Sequence, residues 1–91
     1  MTHMLCRNRV VDFERWKSAF NSHEELHQDA GLRLVKLWRS TDEPNNVFFI
    51  FEVANEEKAR QFIDNPGAAE AGEASGVVDG DYFFVEDAGG Y

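Results

Sequence analysis

The sequence predicts an α+β fold whose elements run strand, helix, strand, strand, helix, strand. Two stretches show helical spacing of apolar residues, and each comes after a residue type that caps helices: 13–29 and 56–64. Four further stretches are rich in β-branched and aromatic residues: 3–10, 32–40, 46–53 and 77–86. The 91 residues correspond to one domain spanning residues 1–91.

The first strand and the start of the first helix come from HMLCRNRV and FERWKSAF. HMLCRNRV (3–10) alternates loosely between apolar and polar residues, and Asp12 is a good N-cap for a helix that begins at FERWKSAF. Phe13, Trp16 and Phe20 recur at helical spacing and give the helix an aromatic face.

The first helix is expected to be long. It can run to Asp29, because Ala30-Gly31 supplies a stop signal. Ser22 and Glu25 spell a capping box, so a bend near Asn21 is the alternative to a straight helix.

The second and third strands are predicted to form a hairpin. LRLVKLWRS (32–40) mixes basic and large apolar residues, and TDEPNN supplies a turn with one proline and two asparagines. NVFFIFEV (46–53) is apolar at both parities, so both of its faces require cover.

The remaining chain predicts a second helix and a last strand. Asn55 caps EEKARQFID (56–64), and Pro66 is expected to end this helix. The small and acidic segment 67–76 is expected to hold one or two loose helical turns before the strand at 77–86. The tail DAGGY is expected to be mobile.

This order is the ferredoxin-like split βαβ arrangement, a four-stranded antiparallel sheet with two helices on one face. Neighbouring residues on a strand point to opposite faces, so one aromatic or leucine of each pair must lie on the uncovered face: Leu37 or Trp38, Phe48 or Phe49, and Phe83 or Phe84. A second copy of the chain is the most economical cover for such a surface, which predicts a symmetric homodimer.

Four stretches resemble the dimeric α+β barrel superfamily, which includes antibiotic-biosynthesis-monooxygenase-like and stress-responsive barrel proteins. They are VDFERWKSAFNSHEELHQDAGLR (11–33), LWRSTDEPNNVFFIFEV (37–53), and EEKARQFID (56–64) together with GVVDGDYFFVE (76–86). The resemblance implies two ferredoxin-like sheets paired into a barrel, with a ligand cavity between helices and sheet. It constrains shape more than chemistry, because the superfamily holds cofactor-free oxygenases, haem-degrading enzymes, decarboxylases and isomerases.

Composition excludes several classes of partner. The formal net charge is −8, so most of the surface would repel nucleic-acid phosphates and anionic membranes. Cys6 is the only cysteine, which leaves no intramolecular disulfide. The longest apolar run is five residues, VFFIF, far too short for a membrane span. A cytoplasmic protein without a cofactor is the expectation.

The motif HEELH (23–27) matches the zinc-protease pattern H-E-x-x-H. Its two histidines would lie one helical turn apart, and Glu24 could polarise a metal-bound water. The extended pattern requires Gly and His where this chain has Ala30 and Arg33. His23 and His27 are therefore only weak metal candidates, and no metal is expected.

A cavity wall is the second interpretation of this helix. His27 shares the aromatic face and His23 lies at its edge, so His27 could act as a general base near neutral pH, oriented by Glu24. These two, His27 and Glu24, are the candidate catalytic residues. The candidate pocket residues are Trp16, Phe20, His23, Trp38, Phe49 and Tyr82.

Superfamily members that degrade haem resemble one another in an Asn on the first strand, a Trp on the third strand and a His on a helix. Asn8 matches the first position, but the third strand offers only phenylalanines, and Trp38 lies on the second strand. Haem degradation is therefore disfavoured.

The expected function is a small homodimeric barrel that binds, or transforms as a monooxygenase-like or isomerase-like enzyme, a small organic molecule between helices and sheet. A non-catalytic dimeric structural or interaction protein is the alternative. A metal-binding protein that uses His23 and His27 is the third interpretation.

Overall fold

The computed structural model describes residues 1–90 and confirms the predicted α+β fold. Four antiparallel strands form one sheet in the order β2-β3-β1-β4: β1 (Thr2–Val10), β2 (Leu32–Arg39), β3 (Asn46–Val53) and β4 (Val77–Glu86). Four helices pack on it: α1 (Phe13–Ser22), α2 (Glu24–Asp29), α3 (Glu56–Asp64) and α4 (Pro66–Ala74). Of the tail DAGGY, residues 87–90 form no helix or strand, and Tyr91 lies outside the described residues.

The core lies between the helices and one face of the sheet. β1 pairs with β3 in a register that sets Cys6 opposite Phe49 and Met4 opposite Phe51, and all four side chains are buried on this face. Trp16 of α1 and Ala59 of α3 cover them and are themselves buried. Side chains of β3 therefore alternate between the two faces of the sheet. Those on the helix side are buried, and those on the other side are half-buried.

The first helix is broken at His23, where the sequence predicts one long helix. His23 has φ −99° and ψ 13°, and its N–H donates to the Phe20 carbonyl at 3.1 Å, so α1 closes with a tight turn. The Ser22 hydroxyl donates to the Ala19 carbonyl at 2.6 Å, a side-chain bond that competes with helix continuation. The expected end holds, since Gly31 (φ 75°) comes just after α2.

The small and acidic segment forms a regular helix, where the sequence predicts loose turns. Pro66 is the first residue of α4, and the Asn65 side chain accepts a hydrogen bond from the Gly67 N–H at 2.8 Å. Proline suits the first helical position because its missing N–H would have no partner there. Pro66 therefore begins α4 as well as separating it from α3.

The face of the sheet opposite the helices is here called the open face. From the three pairs of neighbouring residues predicted to divide between the two faces, it carries Trp38, Phe48 and Phe83. Register sets Trp38 beside Phe48 and sets Leu5 beside both Ile50 and Phe83. Trp38 is 47% exposed and Phe83 is 59% exposed. Among residues 1–90, the helices leave this apolar surface uncovered.

One side of the open face holds an ion-pair network. The Arg7 guanidinium donates to Asp81 at 2.8 Å, to Asp79 at 3.0 Å and to the Asn46 side chain at 2.9 Å. Arg9 also pairs with Asp79, and its hydrogen bond lowers the pKa of that carboxyl.

In the described part of the chain, no helix has the length and hydropathy to cross a lipid bilayer.

Candidate functional site

A cavity of about 780 Å³ lies between the sheet and the helices. Its floor is the helix side of β1, β3 and β4, and its walls come from all four helices. Aromatic, polar and ionisable side chains line it, together with one glycine. They include Cys6, Asn8, Trp16, Phe20, His23, His27, Phe49, Phe51, Phe62, Glu73, Gly80 and Tyr82.

Aromatic rings build one wall of the cavity. The Phe20 ring lies 4.8 Å from Trp16 and 5.3 Å from Phe49, measured between ring centroids. Trp16 is only 2% exposed, so this wall is anchored in the core. The cavity therefore offers flat, apolar contact surfaces of the kind that bind organic rings.

His27 sits within this aromatic wall. Its imidazole centroid is 4.9 Å from Phe20, 5.2 Å from Phe51 and 5.9 Å from Phe62. Burial, and then the charge of nearby His23, lower the pKa of His27 below its ordinary value of 6.5. His27 is therefore mainly neutral at pH 7, in the form that can accept a proton.

The lowered pKa of His27 makes stability depend on pH. Above pH 6.5 His27 is mainly neutral in both states. As the pH falls from 6.5 to the lower pKa of His27 in the folded protein, the unfolded chain binds this proton first, so the free energy of unfolding decreases over that interval. We expect the melting temperature of the wild type to fall more steeply with acidification than that of His27→Gln. Thermal denaturation at a series of pH values from above 6.5 to well below it gives the slope of melting temperature against pH for each protein, with His3→Gln as the control. Equal slopes for wild type and His27→Gln would contradict the assignment.

The cavity brings together most of the residues predicted from the sequence: Trp16, Phe20, His23, His27, Phe49 and Tyr82. Trp38 lies instead on the open face, because the irregularity of β2 between Leu34 and Lys36 leaves Leu37, not Trp38, opposite Phe49. Glu24 is exposed on α2 and does not line the cavity. Glu24 and His27 lie three residues apart on α2, and the orientation of this helix on the sheet turns His27, not Glu24, toward the cavity.

Several lining residues are absent from the pocket that the sequence predicts. In the sequence, Asn8 is notable only because it matches the first-strand Asn of the haem-degrading proteins. In the structure, its side chain faces the cavity beside Gly80 of β4. A Cβ at position 80 would lie 2.5 Å from Asn8 Oδ1 and 2.7 Å from the Arg7 carbonyl oxygen, so only glycine fits. A glycine inside an otherwise regular strand pattern is the available signal.

Helix α4 is the other part of the wall that the sequence does not predict. Its described lining residues are Gly67, Ala68, Ala71, Gly72 and Glu73. Small residues leave the space that larger side chains would fill. The Asn65-Pro66 pair is the available signal, since a capping residue before proline is typical of a helix start.

Cys6 lines the floor of the cavity as a buried thiol. Burial raises its pKa to about 12, so it stays protonated and behaves as a small apolar group. Among the described residues, no three or more His, Cys, Asp or Glu side chains cluster in a way that could hold a metal ion.

No family model matches the sequence, and no curated protein matches it. Solved structures do share its fold. The chain is similar to SnoaB from Streptomyces nogalater, described as a cofactor-independent oxygenase, with a TM-score of 0.73, 16% identity, and coverage of 98% of this chain and 94% of that chain.

Two further structures are similar over nearly the whole chain. A candidate antibiotic biosynthesis monooxygenase from Bordetella bronchiseptica has a TM-score of 0.75 and 12% identity, with 96% of each chain covered. An uncharacterised NIPSNAP domain protein from Burkholderia xenovorans has a TM-score of 0.67 and 11% identity, with 97% of this chain and 95% of that chain covered. The chain therefore has the ferredoxin-like α+β fold of the antibiotic-biosynthesis-monooxygenase-like proteins, as the sequence resemblance implies.

Proposed function

We propose that this protein binds a small organic molecule in the cavity between helices and sheet and transforms it in a monooxygenase-like reaction. The observation that carries the proposal is the cavity itself. Its volume of about 780 Å³ falls within the range of roughly 300–1,000 Å³ that is typical of small-molecule sites. A protein that used this fold only as a scaffold would be expected to fill its interior with side chains.

The chemistry of the wall supports an aromatic or similarly flat ligand. Rings of Trp16, Phe20 and Phe49 supply apolar contact area, and His27 and Asn8 are among the polar groups that line the same cavity. A small number of polar groups in an apolar cavity fixes the orientation of a ligand.

His27 is the candidate general base. Its imidazole is neutral near pH 7 and lines the cavity, so it can take a proton from an acidic O–H or C–H group of a bound molecule. Removal of that proton leaves an electron-rich phenolate, enolate or carbanion, which dioxygen can oxidise. One oxygen atom then enters the organic molecule, and the other leaves as water with two hydrogen atoms and two electrons from that molecule. Similarity in fold to SnoaB, described as a cofactor-independent oxygenase, is compatible with this order of events.

A homodimer is part of the same proposal. The open face exposes Leu5, Trp38, Phe83 and Val85, and an apolar surface of this kind is usually covered by a partner. A second copy presents the same surface, and a two-fold axis brings two such faces together. The alternative, a dimeric interaction protein without a reaction, shares this surface and differs only in the use of the cavity.

Binding is tested with Trp38→Phe, which leaves Trp16 as the sole tryptophan and thus as a reporter on the cavity wall. We expect some members of a set of bicyclic aromatic compounds to change Trp16 fluorescence and to raise the melting temperature. A compound at about 100 times its Kd should stabilise the fold by about 2.7 kcal/mol.

The matched control places one added phenyl ring inside or outside the cavity. Ala71 lines the cavity and Ala74, on the same helix, does not. Ala71→Phe should abolish binding, whereas Ala74→Phe should retain it. Oxygen uptake and mass spectrometry of the recovered compound then separate turnover from binding alone. Absence of any binder across the set, or equal binding by both variants, would contradict the proposal.

A further inference from the structure

Among the residues that the structure describes, no arginine or lysine lines the cavity. The ionisable side chains of its described lining are Cys6, His23, His27, Glu73, Asp81 and Tyr82. Two arginines pack nearby but are engaged elsewhere. Arg15 donates to the Ala74 carbonyl at 2.9 Å, and Arg60 pairs with Glu56 at 3.0 Å.

Three of these six ionisable groups carry no charge toward the cavity. Burial keeps the Cys6 thiol protonated because it raises the pKa, and burial together with His23 lowers the pKa of His27 and keeps it neutral near pH 7. The Asp81 carboxylate accepts hydrogen bonds from Arg7 on the open face, so its charge is directed away. Glu73, exposed on α4, is the acidic side chain that remains at the cavity.

An anion that enters such a cavity loses hydration and finds no arginine or lysine in the described lining to pair with. Burial of an unpaired ion is costly, and a carboxylate at Glu73 adds repulsion between like charges. An uncharged ligand of the same shape avoids both penalties. It also finds the Asn8 amide, which lines the cavity and can both donate and accept hydrogen bonds.

We infer that the cavity selects uncharged aromatic compounds that carry hydroxyl or carbonyl groups and discriminates against carboxylates, sulfonates and phosphates of the same shape. The inference rests on the proposed function and names its substrate class. It makes Glu73 a specificity-determining residue at the cavity.

Three naphthalenes of matched shape test the inference with the Trp38→Phe protein near neutral pH. 2-Naphthol is uncharged there, whereas 2-naphthoate and 2-naphthalenesulfonate are anions. We expect both anions to bind at least about tenfold more weakly than the naphthol, as read from Trp16 fluorescence. Equal binding by all three overturns this inference and leaves the proposed function intact. Absence of binding by all three overturns this inference, and absence of any binder across the wider set of bicyclic compounds overturns the proposed function as well.

Two charge-reversal variants show where the discrimination arises. Glu73→Lys and Glu70→Lys change the net charge equally on the same helix, and only position 73 lines the cavity. Glu73→Lys should strengthen 2-naphthoate binding several-fold and leave 2-naphthol binding nearly unchanged, while Glu70→Lys should affect neither. An equal gain in both variants would assign the effect to the overall charge of the protein and overturn the role of Glu73.

Discussion

Replacement of Trp16 by alanine is expected to lower the free energy of unfolding by about 3–5 kcal/mol, the usual range for removal of a large buried aromatic side chain. Trp16 is 2% exposed, and its ring lies 4.8 Å from Phe20 and 5.6 Å from Phe49 between centroids. Its loss removes the anchor that holds α1 against the sheet. Urea denaturation followed by circular dichroism measures the change.

Trp16→Phe is the control for the Trp16→Ala variant. Phenylalanine retains a ring at the contact, so it should recover more than half of the lost free energy. A loss of less than about 1 kcal/mol in the alanine variant would contradict the placement of Trp16 in the core, since values that small are typical of surface substitutions.

Phe83→Glu is expected to convert the proposed homodimer into a monomer at micromolar concentration. Phe83 is 59% exposed on the open face, and a glutamate there would be buried without a cation against the partner. An increase in the dissociation constant of about 100-fold or more is the expected size of effect for a central aromatic anchor. Sedimentation equilibrium measures it.

Val11→Glu is the matched control for association. Val11 is also an exposed apolar residue, at 63%, but it lies after β1 and outside the sheet. This variant should associate like the wild type. A monomeric wild type at micromolar concentration, or a Phe83→Glu variant that remains dimeric, would contradict the use of the open face as the contact between copies.

The order of the elements and the two faces of β3 could be predicted because both depend on local patterns. Side chains alternate along a strand, so Val47, Phe49 and Phe51 must share one face of β3, whichever face of the sheet the helices cover. Capping by Asp12 and Asn55 is likewise local, and both side chains accept the expected hydrogen bonds. These features require no knowledge of distant contacts.

The missed features depend on one strand irregularity and on the placement of one short helix. A shift in register near Val35 decides that Trp38 faces away from the cavity, and the sequence pattern does not mark that position. Such a shift reassigns every side chain of the strand beyond it. Glu24 and His27 share α2, and the orientation of this helix on the sheet, which no local pattern marks, turns His27 and not Glu24 toward the cavity.

Strand β4 contributes to both surfaces of the molecule. Its even positions, Gly80 and Tyr82, border the cavity, while Asp81 and Phe83 point to the open face. Because it is an edge strand that pairs in the sheet with β1 alone, a displacement of its backbone alters both surfaces together. Ligand occupancy and self-association are then linked thermodynamically: if a ligand favours one position of the strand, it changes the association constant, and association changes the ligand affinity by the same factor.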